Sequence, residues 1–72
     1  MQEIRSPVGG NVRDLPAELG TMIAEGEVVA VLESAGTDVP VTTREPGVVR
    51  EIHVDLHQQV CDGDLIALID ES

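Results

Sequence analysis

The 72-residue chain has no lysine, phenylalanine, tryptophan or tyrosine, and a single cysteine, Cys61. Without aromatic rings it can neither stack bases nor cage a quaternary amine. Its basic residues are Arg5, Arg13, Arg44 and Arg50, set against 14 acidic ones for a formal charge of −10. Phosphate backbones and anionic lipid surfaces are held by clustered positive charge, so nucleic acid and membrane are not expected partners. The acidity gives solubility, or steers the chain toward a basic protein surface. One cysteine excludes an internal disulfide and hence a stapled secreted fold. No apolar run nears the roughly 20 residues of a membrane span. "MQEIRSPVGG" lacks the basic start and apolar run of a signal peptide. A cytoplasmic location is expected.

This length makes one domain, residues 1–72. A chain so short buries only about 60% of its unfolded surface. That leaves room for a binding or carrier module and little for a cleft of converging groups. Neither enzymatic activity nor catalytic residues are expected.

What is present alternates with period two and runs in short β-branched stretches. "GEVVAVLES" (26–34) and "GDLIALIDES" (63–72) read as buried strands, each behind a Gly-acid turn. "GVVREIHVDL" (47–56) alternates from Val49 onward, and "NVRDL" (11–15) does so briefly before Pro16. The segment 16–26, "PAELGTMIAEG", holds Gly20 between turn signals and reads as loop. Short strands with Gly and Pro punctuation predict an all-β barrel or sandwich.

The chain also repeats itself. Shifted so that Gly10 meets Gly47, it aligns Val12 with Val49, Arg13 with Arg50, Leu19 with Leu56, Gly26 with Gly63 and Ala30 with Ala67. The register holds without a gap and defines half-repeats 4–34 and 41–71, related by a pseudo-two-fold axis. A lone hairpin is marginal in water, so each half needs the other to cover its apolar face. The join is the tip, residues 34–38, within "VLESAGTDVP". Loops held out by a rigid body are where function concentrates.

Other candidates carry little. Cys61 follows inward-facing Val60 and is expected outside, with Asp62 and Asp64 beside it. Reactive thiols sit in electropositive surroundings, and carboxylates are the opposite, so Cys61 reads as inert. His53 and His57, read on one strand, share a face about 13 Å apart, too far for one metal. No metal site is expected. Glu33 and Asp38 flank the tip and read as solvated charges.

The stretches "SPVGGNV", "IAEGEVVAVLES", "DVPVTTREPGVV" and "VCDGDLIALID" resemble the biotinyl/lipoyl attachment domain family, in particular the small biotin carboxyl carrier type. The resemblance spans essentially the whole chain. It implies a flattened barrel of two four-stranded antiparallel sheets, with an acceptor lysine at the hairpin tip that a ligase modifies with biotin or lipoate. The family pattern at the tip is "E-[AS]-M-K-M-E". Here Glu33 and Ser34 match its first two residues and Asp38 its last, while Met-Lys-Met is replaced by Ala35-Gly36-Thr37. The acceptor position is Gly36, and no lysine elsewhere stands in. Neither biotin nor lipoate is expected to be attached, so no cofactor is expected.

The resemblance thus implies a carrier-like domain that carries nothing. It would be a non-carrying subunit or docking module of an acyl-CoA carboxylase-like system, meeting carboxylase subunits or a biotin ligase. Two alternatives remain: a working carrier whose lysine motif was replaced, and a small self-assembling structural barrel.

Overall fold

A computed structural model describes residues 1–71, which form eight strands and no helix. They are β1 (Gln2–Arg5), β2 (Gly10–Asp14), β3 (Met22–Ile23), β4 (Val28–Ser34), β5 (Thr37–Thr42), β6 (Gly47–Ile52), β7 (Gln59–Val60) and β8 (Leu65–Asp70). Ser72, last residue of the expected strand 63–72, lies outside the described residues. Two four-stranded sheets form, in the orders β1-β8-β6-β3 and β5-β4-β2-β7, and every pairing is antiparallel.

The two orders map onto each other strand by strand under the shift that carries Gly10 onto Gly47. The irregularities map as well. The β2–β4 register slips between Val12 and Asp14, and the β6–β8 register between their mates Val49 and Glu51. The Gly20 N–H donates to the Val49 carbonyl (2.8 Å) and the His57 N–H to that of Val12 (2.7 Å). Gly26 donates to the Thr43 carbonyl (2.9 Å), and Gly63 to that of Ser6 (2.8 Å). A bulge sets local twist, so its recurrence in both halves gives the two sheets the same curvature and lets them close face to face.

The core is aliphatic, as a chain without aromatics requires. Val29, Ala30 and Leu32 from β4 meet Ile66, Ala67 and Ile69 from β8, all fully buried, together with Val12, Val49 and Val60. Each of the larger side chains contributes roughly 1.5–3 kcal/mol by leaving water. Gly10 and Gly47 let backbones approach within this frame. A Cβ on Gly47 would lie 2.5 Å from the Asp70 carbonyl oxygen, and one on Gly10 would collide with the Glu33 carbonyl oxygen. Only glycine fits such a crossing.

Three expectations change. The strand read over 47–56 stops at Ile52; the His53 N–H still reaches the Ile66 carbonyl of β8 (2.8 Å), one step past the Ile52↔Ala67 pair, and the chain then turns at Leu56 and His57. His57 therefore lies in a turn at φ 71°, not on a strand face shared with His53. The segment 16–26, read as loop throughout, includes the two-residue strand β3 paired with β6 through Met22↔Val48 and Ile23↔Gly47.

Candidate functional site

The tip is a hairpin closed by the pair Ser34↔Thr37, leaving Ala35 and Gly36 as its two central residues. Their φ values are 50° and 77°. Two successive left-handed residues define a type I′ turn, whose twist matches that of the flanking strands. Gly36 adopts this backbone freely, whereas Ala35 holds a Cβ in a region that L-residues avoid. A Cβ on Gly36 would meet nothing within 4 Å.

One pair further from the turn, Glu33 and Asp38 face each other across β4 and β5, with Asn11 of β2 on the other side of Glu33. Arg13 reaches across this row. Its guanidinium lies 3.7 Å from a Glu33 carboxylate oxygen and 3.5 Å from one of Asp38. All three side chains are about half exposed, so the contacts are solvent-screened and worth a few tenths of a kcal/mol each. The guanidinium balances one of the two negative charges and ties the third strand of the sheet to both flanks of the turn. Ser34 is half-buried, and its Cβ lies 3.4 Å from where a Cβ on Gly10 would stand. Thr37 is exposed.

A cavity of about 320 Å³ opens beside this row, lined by Asn11, Val12, Arg13, Glu33 and His57. Sequence reasoning missed His57 here. Its signal lay in the repeat, where its mate is Gly20 at φ 80°. Away from the tip, the His53 ring lies 2.7 Å from a Glu51 carboxylate oxygen. Cys61 is exposed, as expected, and its N–H donates to the Asp64 carboxylate (2.8 Å). Among the described residues no group of three or more His, Cys, Asp or Glu is placed to hold a metal ion, and no helix is long and apolar enough to cross a membrane.

One sequence family matches the chain that folds in this way. The Biotin_lipoyl family model, described as "Biotin-requiring enzyme", matches residues 2–69. The chain belongs to the biotin/lipoyl family. A curated relative, a biotinylated protein TB7.3 homolog from Mycobacterium leprae (strain TN), is 29% identical over 68 residues, covering 94% of this chain and 96% of that protein. Among solved structures, Kluyveromyces lactis urea carboxylase superposes at a TM-score of 0.89 with 26% identity. The match covers 96% of this chain and 6% of the carboxylase, so the chain is similar to one small part of that enzyme. The lipoyl domain of the 2-oxoglutarate dehydrogenase complex from Azotobacter vinelandii superposes at 0.83 with 21% identity, over 99% of this chain and 98% of that domain. At that identity the lipoyl domain supports the biotin/lipoyl fold and nothing finer.

Proposed function

We propose that this is a biotin carboxyl carrier-like domain that has lost its attachment residue and acts as a non-carrying subunit or docking module of an acyl-CoA carboxylase-type assembly in the cytoplasm. The observation that carries the reading is the tip itself. It is a closed two-residue turn of Ala35 and Gly36 in a chain without a single lysine. Attachment of biotin or lipoate joins an activated carboxyl to a primary amine as a stable amide, the usual role of a lysine nucleophile. Gly36 offers no side chain at the acceptor position, and the nearby hydroxyls of Ser34 and Thr37 would give labile esters. The residues at the tip do not fit an amide-linked group.

The docking half of the proposal draws on the intact scaffold around that tip. Both sheets, both Gly-acid turns and the acidic flanks Glu33 and Asp38 are kept. The named relatives, a biotinylated protein and a urea carboxylase, point to biotin-dependent carboxylation as the setting. Two partner surfaces suit such a domain in that setting: a carboxylase subunit that receives carriers, or the ligase that modifies them.

The test is incubation of the purified chain with a biotin ligase, ATP and biotin, read by intact mass. The natural chain is expected to stay unmodified. Gly36→Lys, combined with Ala35→Met and Thr37→Met, is expected to gain one biotinyl group, because a Cβ on residue 36 meets nothing within 4 Å and the left-handed backbone adds only local strain. A stable biotinyl adduct on the natural chain would refute the proposal. Recovery of a carboxylase subunit with the chain from its native host separates docking from self-assembly.

A further inference from the structure

Each sheet has one edge strand of substantial length, and the two lie side by side. β1 ends one sheet and β5 the other, and residues of both line a groove of about 740 Å³. The opposite edges, β3 and β7, are two residues each. An edge strand presents a row of backbone N–H and C=O groups without a strand partner, which an extended peptide can complete. On β5 that row is interrupted by Pro40, which has no N–H to donate. β1 has no proline, and it runs in regular register over Gln2–Ile4 before a slip at Arg5, so it is the edge on which a short ladder can form. The groove floor is apolar, with Ile4 and Val41 buried and Pro7 and Pro40 alongside, and its rim is charged. An apolar centre within a polar rim is the anatomy of a protein-binding patch.

The rim holds an arginine that the fold does not use. Arg5 bonds Glu3 and the Gly63 carbonyl, Arg13 reaches Glu33 and Asp38, and Arg50 bonds Asp70 at 2.8 Å. The Arg44 side chain has no ion pair or hydrogen bond to any described residue, in a chain with 14 acidic residues. Its backbone is nevertheless fixed. The Arg44 N–H donates to the buried Gln2 side-chain oxygen (2.8 Å), and the Gln2 amide donates to the Thr43 hydroxyl (3.1 Å) and the Glu45 carbonyl (3.2 Å). This clamp ties the loop after β5 onto β1 and sets Arg44 at the groove.

The repeat supplies an internal control. The mate of Gln2 is Val39 and the mate of Arg44 is Pro7. The other half closes the equivalent edge, β5, with neither a clamp of this kind nor a guanidinium. We propose that the groove docks an extended segment of a partner protein as an added strand along β1, with an acidic side chain of that segment bonded to Arg44. The net charge of −10 does not forbid this, because salt screens separated charges beyond about 8 Å at physiological ionic strength. At contact the groove's own charges decide: Glu3 is answered by Arg5 and Glu71 by the N-terminal amine, which leaves the Arg44 guanidinium, beside Glu45, as the rim's unanswered cation. Docking at this groove is independent of whether the tip carries anything.

The test uses a phage-displayed random peptide library selected on the full chain. Enriched peptides are expected to carry an acidic residue at one fixed position. Titrated into the isotope-labelled chain, they are expected to shift amide signals of Gln2–Arg5 and of Val41 and Thr42, which line the groove. Arg44→Ala should weaken binding about fivefold, as loss of one partly exposed charge-assisted bond does. Arg44→Glu should change the selected residue from acidic to basic, while Arg50→Ala should leave binding unchanged. No enrichment, enrichment indifferent to the Arg44 reversal, or shifts centred on the tip or the opposite edge would each overturn the proposal. So would a concentration-dependent dimer that occupies the groove and that peptide does not displace, since the occupant would then be a second copy.

Discussion

Two side-chain-bearing residues, Ala35 and His57, sit in left-handed backbone where glycine is the natural occupant. The conformation brings Cβ against the following carbonyl and costs roughly 1–2 kcal/mol, less for His than for Ala because His tolerates it better. Glycine relieves the strain but adds freedom to the unfolded chain, which cancels part of the gain. Ala35→Gly is expected to stabilise by about 0.5–1 kcal/mol, and His57→Gly by about 0.5 kcal/mol. Urea unfolding would show this as a higher midpoint at unchanged slope, and a lower midpoint would contradict it. The turn at Gly36 was legible because glycine permits φ > 0. Ala35 beside it was not, because alanine is no turn signal and only the closing pair Ser34↔Thr37 fixes which two residues must turn. His57 was masked by the alternation running from Val49, which continues past the point where hydrogen bonding ends the strand.

At the scale of elements, the strands that were legible are those long enough to show a period. β4 and β8 carry continuous apolar runs because both lie over the core, flanked on both sides in their sheets. β3 and β7 are two residues each, too short for any periodicity, and are defined by their partners β6 and β2. The glycines that open β2 and β6 do a different job from those in the turns. Their missing Cβ atoms let β2 cross the end of β4, and β6 the end of β8, at backbone contact. Gly10→Ala and Gly47→Ala should each destabilise by about 3 kcal/mol, the upper range for overpacking, because the obstacle is backbone and cannot rotate away. Gly9→Ala is the control. Its Cβ would sit 3.7 Å from the Val60 carbonyl oxygen, an ordinary contact, and stability should stay within about 0.5 kcal/mol. Chemical denaturation of the three variants distinguishes the cases, and equal losses at all three would rule out the backbone-crossing account.

For the whole molecule, the repeat was the most informative feature of the sequence. It gave the two matched halves, and the structure adds that bulges, turns and hydrogen bonds recur in the same register. What it could not give is where the halves differ, since a difference such as Gln2 against Val39 acquires meaning only once the edges β1 and β5 are seen to meet. The charge is also a whole-molecule property. Ten net negative charges on a body with a radius of gyration of 11.1 Å repel one another, and three of the four arginines answer only locally. Raising NaCl from about 10 mM to about 150 mM shortens the screening length from roughly 30 Å to 8 Å. The melting temperature should rise by a few degrees, and a flat or falling melting temperature would show that the charges are already balanced by their neighbours.

The empty space above Gly36 has a consequence for how such a protein changes over generations. A side chain there touches nothing, the core lies elsewhere, and the turn asks only for two residues that accept left-handed backbone. A side chain gained at this proposed acceptor position costs only the left-handed strain, roughly 1–2 kcal/mol, and its loss to glycine relieves that strain without touching the core. On the proposed function, a lineage retires the handle in a few substitutions and keeps the body intact for whatever else that body binds.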